Sequence, residues 1–212
     1  MILTLNSSLP PYELALFHNS HKPLARCDLA SMQLSESLFS NLTTLIKDHA
    51  KVNQIKGIAL AKGPGPFTSL RVGMTSVRTM AQVLNIPIKG FCSLKCMVSA
   101  YRAFNGLYIA TIPAYRDHYH VRLFGIEKQL IQAKSSLLLL SEQQLKIFVS
   151  EFKQHVYLLG SFKTDLMLFL KTCSLNIIED PIIRSRDLYD LFCNTNTVSA
   201  DWRDLKLVYK QT

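Results

Sequence analysis

The sequence lacks an apolar run long enough to cross a bilayer. Its longest run of leucine, isoleucine or valine is residues 137–140, whereas a membrane-spanning helix needs about 20 apolar residues. The first residues, MILTLN, contain no basic group, no long apolar stretch and no cleavage site of a signal peptide. We therefore expect no membrane association and a cytoplasmic location.

Cysteine is scarce and scattered. The five cysteines lie at positions 27, 92, 96, 173 and 193, and an odd number without a dense framework is typical of a reducing compartment. Cys92 and Cys96 are one helical turn apart, a spacing that suits either a metal or core packing. No second Cys or His pair lies nearby in the sequence, which favours core packing and no metal.

Several catalytic motifs are also missing. The chain has no Gly-x-Ser-x-Gly elbow, no helical HExxH motif and no Gly-Lys-Ser/Thr ending of a phosphate-binding loop. His118 and His120 alternate on a predicted strand beside Asp117, so they are either a weak metal pair or ordinary strand residues.

Positive charge is in excess. The chain has 24 Lys and Arg against 15 Asp and Glu, a formal net charge of +9. Such a balance favours an acidic or nucleic-acid partner, although basic residues spread over a solvated surface would give the same number.

The order of predicted elements repeats. Strands at residues 2–6, 12–18 and 24–29 precede a helix near 34–50, a buried strand at 55–61 and a helix at 68–84. The same order follows with strands at 107–112, 119–125 and 137–140, a helix at 141–153, a strand at 156–159 and a helix at 162–171. Two βββαβα repeats predict an α/β protein of the actin-like, sugar-kinase-like fold, with lobes at residues 1–105 and 106–212.

A glycine- and proline-rich turn links the buried strand to the second helix of the first repeat. Residues 63–71 read GPGPFTSLR, and their glycines permit close approach of the backbone. Thr68 stands where a dinucleotide-binding fingerprint needs a third glycine, and Pro64 and Pro66 remove two N–H donors. The segment therefore predicts a rigid turn rather than a nucleotide-binding loop.

This segment also resembles the hallmark motif of the TsaB family of YeaZ-like, glycoprotease-like proteins. The family motif is Gly-Pro-Gly-small-Phe-Thr-Gly-Leu/Val-Arg, with Pro66 here for the usual Ser and Ser69 for the usual Gly. Residues 90–94 (GFCSL) are similar to the family's entry to its third helix, and residues 207–210 (LVYK) resemble its C-terminal ending.

Two features depart from the family pattern. Asn6 stands where the family usually has Asp, and an amide holds a hydrated metal poorly. Pro113, Ala114 and Tyr115 replace an Asp-Ala-Arg segment. Both departures weaken any nucleotide or metal site and are harmless in a subunit that supplies a surface.

The resemblance implies a non-catalytic subunit of the bacterial machinery that makes N6-threonylcarbamoyladenosine in tRNA. It implies binding to a TsaD-like catalytic subunit, joined by a TsaE-like ATPase and tRNA, without a cofactor or metal in this chain. TsaB-like proteins pair through two helices of the first lobe as a helical bundle, so we expect homodimers when the partner is absent.

The predicted interface combines both helices of the first lobe. Its residues are Leu38, Leu42, Leu45, Phe67, Thr68, Leu70, Arg71, Gly73, Met74 and Val77. A glycine inside a helix costs about 1 kcal/mol relative to alanine, so Gly73 serves close approach either of a partner helix or of the chain's own sheet. Phe39 and Ile46 widen the apolar face of the first helix, as burial on two sides requires.

Two other function classes stay open. A diverged phosphotransferase of the same fold would need a carboxylate on the first strand, and Asn6 argues against it. A tRNA-binding module would explain the net charge and would bind less tightly as salt rises.

Overall fold

The computed structural model describes residues 1–30, 34–152, 156–195, 203 and 205–208. Tyr209 and Lys210 of the C-terminal motif lie outside these residues. The described residues divide into two compact units, Met1–Cys96 with those of Ile182–Val208, and those of Met97–Pro181.

The first unit is built on a mixed sheet. Its elements are β1 (Ile2–Asn6), β2 (Tyr12–Phe17), β3 (Ala25–Leu29), α1 (Leu34–His49), β4 (Gly57–Ala61), α2 (Phe67–Leu84), β5 (Ile88–Phe91) and the start of α3 (Ser93–Ser99). In the described residues the strand order is β3-β2-β1-β4-β5. β1 pairs antiparallel with β2 and parallel with β4.

Alternation along β1 gives the sheet two buried faces. Leu3 and Leu5 belong to the main core, which α1 and α2 complete with Leu38, Leu42 and Val77 among others. The opposite face carries Ala15 and Phe17, which pack with Tyr189 of a later helix. Because successive strand residues point to opposite sides, a strand buried on both faces is apolar throughout, as β4 is.

The second unit repeats this topology. Its elements are β6 (Gly106–Pro113), β7 (His118–Glu127), β8 (Leu130–Ala133), β9 (Leu138–Ser141), α4 (Glu142–Ser150), β10 (Val156–Gly160), α5 (Thr164–Leu170) and β11 (Leu175–Glu179). Among the described residues the strand order is β8-β7-β6-β10-β11, with β9 also on β7. The order corresponds strand for strand to that of the first unit, so the predicted duplicated actin-like α/β fold is confirmed.

One helix was not predicted, and it changes the division of the chain. α6 (Ser185–Asn194) packs on β1, β2, β4 and β5 of the first unit. Phe17 and Tyr189 stack with ring centroids 4.5 Å apart, and the Lys89 ammonium donates to the carbonyls of Phe192 and Thr195 at the end of α6. Residues 182–208 therefore belong with the first unit, whereas the sequence assigned everything after residue 105 to the second lobe.

The side-chain amide of Asn6 fixes the end of β1, because both its nitrogen and its oxygen form hydrogen bonds. Its Nδ2 donates to the carbonyl oxygens of Leu9, Pro11 and Ile183 at 2.8, 3.0 and 3.2 Å. Its Oδ1 accepts from the backbone N–H and the hydroxyl of Ser8 at 3.1 and 3.0 Å. The side chain is completely buried, so an amide, which both donates and accepts, is the group that this position requires.

Gly73 lets α2 lie close to β1. A Cβ added there would overlap the Ser7 hydroxyl and lie 2.8 Å from Ser7 Cβ and 3.3 Å from Leu5 Cδ2. The closest approach of helix and strand therefore occurs where the helix has no side chain. Of the two roles considered for Gly73, packing against its own sheet is the one that the structure shows.

We expect Asn6→Asp to lower the free energy of unfolding by about 2 kcal/mol near neutral pH, because a carboxylate would face three carbonyl oxygens. Burial beside those oxygens raises the pKa of the new carboxyl above its usual value of about 4. The native variant then retains a proton that the unfolded chain releases, so its stability falls as the pH rises and partly recovers on acidification.

Urea unfolding of Asn6→Asp and wild type at about pH 5 and about pH 8 measures this effect. The exposed Asn53→Asp is the matched control, because it makes the same chemical change in solvent. A loss of stability equal to that of Asn53→Asp at both pH values would contradict the structural role of the amide.

Gly73→Ala should destabilise the protein by more than about 1 kcal/mol, although the same change in an unobstructed helix stabilises by about that amount. In a Ser7→Gly background the Ser7 atoms that the new methyl group meets are gone, so Gly73→Ala should become neutral or stabilising. Thermal unfolding of the four proteins closes the double-mutant cycle. If the effects of Gly73→Ala and Ser7→Gly on stability simply added, contact with Ser7 would not be the reason that a side chain is unfavourable at residue 73.

Candidate functional site

The glycine-rich turn of residues 63–66 positions the start of α2. The Gly63 N–H donates to Ser93 Oγ at 3.1 Å, and the Ser93 N–H donates to the Gly63 carbonyl at 2.8 Å. A Cβ at Gly65 would overlap the carbonyl oxygen of Ser8. The close backbone approach that glycine permits is thus used by the chain's own β1–β2 loop, which fits the predicted rigid turn.

The first turn of α2 is tied to β2. The Tyr12 hydroxyl donates to Ser69 Oγ at 3.1 Å, and Ser69 Oγ donates to the Pro66 carbonyl at 3.0 Å. Ser69, where the family motif has Gly, is buried. Its hydroxyl accepts one hydrogen bond, from Tyr12, and donates another, to Pro66. At the other end, Asn85 adopts the left-handed conformation that commonly ends a helix.

Seven of the ten predicted interface residues face the chain's own sheet. They are Leu38, Leu42, Leu45, Leu70, Gly73, Met74 and Val77, all buried. Helical spacing identified an apolar stripe on each helix, but spacing alone does not say whether the sheet or a partner covers it. These seven residues are therefore largely covered within the chain, although Leu42 also lines a groove on the outer side of the two helices.

The other three predicted residues lie on exposed parts of α2. Thr68 and Arg71 are exposed, Phe67 is 52% exposed, and the Arg71 guanidinium lies 5.1 Å from the centre of the Phe67 ring. Thr68 begins a second stripe on the outer face of α2, which the sequence pattern of core residues did not indicate, and Phe67 and Arg71 lie next to it.

This outer stripe of α2 consists of β-branched residues. Thr68, Val72, Thr75, Thr79 and Val83 follow one another at spacings of four, three, four and four. Such spacing places them along one side of the helix. β-Branched residues are not favoured in a solvated helix, but they are favoured at the seam between packed helices. Val83 is 76% exposed, so none of the residues that the structure describes covers this stripe at that end.

An apolar groove of about 520 Å³ runs between α1 and α2. Phe39, Thr43 and Lys47 line it from α1, and Thr79, Met80 and Val83 from α2, with Leu42, Ile46 and Leu84 among its other lining residues. Phe39 is 74% exposed. Thr75, Thr79 and Val83 of the outer stripe also line this groove, which we call the α1–α2 groove.

Phe39 and Ile46 were predicted to widen the apolar face of α1, and both line the groove. On α2, the sequence feature that could have predicted the groove is the run of β-branched residues from Thr68 to Val83. These residues alternate along the chain with the more apolar core stripe of Leu70, Met74 and Val77, which is the easier pattern to recognise.

The candidate residues of the second unit lie in and beside a β-hairpin. Arg116 and Asp117 both have positive φ in the turn from β6 to β7, and Asp117 pairs with Lys163. His118 Nδ1 lies 2.7 Å from the Arg116 carbonyl oxygen. His120 is buried, and burial lowers the pKa of its imidazole. In the described residues no group of three or more His, Cys, Asp or Glu side chains is placed to hold a metal ion.

Neither Cys92 nor Cys96 forms a disulfide. Cys96 is completely buried, and burial raises the pKa of its thiol. In the part of the chain that the structure describes, no helix is long and apolar enough to cross a membrane.

Sequence comparisons find similarity over part of the chain. The family model for TsaD, tRNA N6-adenosine threonylcarbamoyltransferase, matches residues 28–117. The tRNA threonylcarbamoyladenosine biosynthesis protein TsaB of Bacillus subtilis is 30% identical over 112 residues, which are 53% of this chain and 40% of that protein. An uncharacterised protein of Mycobacterium bovis is 38% identical over 61 residues, 28% of this chain and 29% of the other. The chain thus spans less than half the length of these curated relatives.

Similarity of fold extends over nearly the whole chain. YeaZ from Pseudomonas aeruginosa aligns with a TM-score of 0.79 over 99% of both chains at 17% identity. A second Pseudomonas aeruginosa structure, described as similar to peptidase YeaZ, aligns with a TM-score of 0.80 over 98% of both chains. The chain therefore has the fold of YeaZ throughout and is similar in sequence to TsaB over about half its length, which confirms its resemblance to the TsaB family.

Proposed function

We propose that this chain is a non-catalytic, TsaB-like subunit of the machinery that makes threonylcarbamoyladenosine in tRNA. It binds a TsaD-like catalytic subunit through the α1–α2 groove, and a TsaE-like ATPase and tRNA join through that complex. The observation that carries the proposal is the groove itself, an apolar surface on two adjacent helices with Phe39 and Val83 largely exposed.

The groove is suited to receive helices. Its walls are two neighbouring helices, and the β-branched stripe of α2 follows a spacing typical of helix–helix seams. Full burial of a side chain such as Phe39 or Val83 contributes about 2 kcal/mol. A few residues of this kind dominate the energy of many interfaces, so the two side chains are candidate anchors.

The phosphotransferase alternative is disfavoured by Asn6. A kinase of this fold would need a metal-holding carboxylate on β1, but the Asn6 amide is buried and its nitrogen faces three carbonyl oxygens. The turn of residues 63–66 packs on Ser8, which disfavours its use as a phosphate cradle.

We expect the double variant Phe39→Asp with Val83→Asp to weaken binding to the TsaD-like protein of the same genome by about 100-fold or more. The reason is that two apolar anchors are lost and two carboxylates would be buried. Both side chains are mainly exposed, so the isolated variant should keep its circular dichroism spectrum and a Tm close to that of wild type. Size-exclusion chromatography with light scattering, followed by calorimetry, measures complex formation.

The matched control is Ile147→Asp with Leu168→Asp, whose side chains on α4 and α5 are 60% and 63% exposed. This control should bind the TsaD-like protein as wild type does. Equal binding by both double variants would place the interface elsewhere, and no complex with wild type at micromolar concentration would overturn the proposed function.

A further inference from the structure

Three tyrosine rings are stacked in a row in the second unit. The ring of Tyr108 lies between those of Tyr101 and Tyr157, at centroid distances of 6.3 and 4.7 Å and interplanar angles of 28° and 12°. Tyr108 is buried, and its hydroxyl donates to the Phe104 carbonyl at 3.0 Å. Burial and the two neighbouring tyrosines raise the pKa of Tyr108 to about 12. The central ring is thus neutral and fixed, and we call the three rings the tyrosine ladder.

One step of the ladder follows the strands of the second sheet. Tyr157 of β10 lies directly opposite Tyr108 of β6, and the 4.7 Å between their rings matches the usual spacing of neighbouring strands, about 4.8 Å. On its other side Tyr157 lies opposite Asn176 of β11, which is the last strand on this side of the sheet among the described residues. Tyr157 is half-buried and Asn176 is exposed. The ladder therefore ends where a short amide side chain stands in place of a further ring.

This end of the ladder offers a planar molecule two different contacts. Residues opposite one another on neighbouring strands point to the same face of the sheet, so the register places the Asn176 amide beside the Tyr157 ring, on the side away from Tyr108. A flat ring bound there would continue the stack at the spacing that the strands already impose. Its edge would meet an amide that both donates and accepts hydrogen bonds.

Basic side chains lie near the same end of the second sheet. Residues 49–116, which supply two of the three tyrosines, contain no Asp or Glu. Arg102 follows Tyr101 directly in the chain and is partly exposed, and Lys171 is exposed in the turn that leads to β11. Lys128 is exposed in the turn from β7 to β8, beside the start of β6, although Glu127 precedes it. These cations suit a ligand that carries phosphate groups.

We propose that the Tyr157 end of the ladder binds an unpaired adenine base, which stacks on the Tyr157 ring and pairs with the Asn176 amide. Stacking of bases on aromatic side chains is a common means of binding single-stranded nucleic acid. An asparagine amide forms two hydrogen bonds with adenine, because it donates to N7 and accepts from the 6-amino group. A base attached to phosphate therefore matches the ring, the amide and the neighbouring cations together.

This inference does not depend on the proposed function. The tyrosine ladder lies in the second unit, whereas the α1–α2 groove lies in the first. The variant Phe39→Asp with Val83→Asp should therefore bind adenine as wild type does, so that failure of either proposal is seen separately. The adenine belongs either to a free nucleotide or to an RNA strand, and both sources present the same base to the site.

The stack is tested by titrating the full chain with adenosine monophosphate and with an oligoadenylate of about ten nucleotides, followed by NMR. Tyr157→Ala should weaken binding of the base about tenfold or more, because the stacking ring is lost. Tyr157→Phe keeps the ring and should bind as wild type does. If wild type binds neither probe at millimolar concentration, the proposal is wrong.

The matched control for the stack is Tyr115→Ala. Tyr115 is 76% exposed, and the Arg116 guanidinium lies 5.1 Å from the centre of its ring, so this residue offers a ring and a cation outside the ladder. The control should bind both probes as wild type does. Equal weakening by Tyr115→Ala and Tyr157→Ala would show that binding does not use the ladder.

The base edge is tested with inosine monophosphate and an oligoinosinate of the same length, in which a carbonyl oxygen replaces the 6-amino group. Wild type should bind the adenine probes about tenfold more tightly than the inosine probes. Asn176→Ala leaves the ladder intact and should bind both bases alike. A preference for adenine that survives Asn176→Ala, or that wild type lacks, would overturn the pairing with the amide.

The same titrations identify the source of the base. Oligoadenylate that binds more tightly than adenosine monophosphate, with an affinity that falls as salt is added, would identify an RNA strand. Equal affinities would identify a free nucleotide. Either result supports the site only if Tyr157→Ala abolishes it and Tyr115→Ala does not.

Discussion

The contact between Gly73 and Ser7 fixes how α2 lies on the first sheet. Gly73 allows α2 to approach β1 more closely than any side chain at this position would permit, and close packing leaves few alternative rotations of the helix. With that rotation set, Leu70, Met74 and Val77 enter the core. The β-branched stripe from Thr68 to Val83 is left on the outer face.

The two faces of α2 therefore have different roles. The inner face is completed by the sheet and by α1, and it accounts for the stability of the first unit. The outer face combines β-branched residues with an apolar groove shared with α1. Both properties suit contact with other helices.

The sequence predicted the elements of the first unit well because its apolar patterns are regular. β1, α1 and α2 lie within one residue of the predicted bounds. The second repeat was also predicted, except that β8 was not. α6 was not predicted, since Asp187 and Asp190 are buried in it and conceal its apolar side. Most of the predicted interface residues are buried within the chain, because periodicity reports an apolar stripe but not which neighbour covers it. The role of Asn6 could not be read from the sequence, since its hydrogen-bond partners include Ile183, far away along the chain.

The return of the chain to the first unit has a consequence for synthesis on the ribosome. β1, β2 and β4 emerge early, but within the described residues the sheet face that carries Ala15 and Phe17 is covered by α6, which is made after the whole contiguous segment Met97–Pro181. During that interval the nascent chain exposes an apolar sheet face, which is a typical target for chaperones and a source of aggregation. Helix α6 thus completes the first domain to appear, so a truncation that removes α6 would damage the N-terminal sheet.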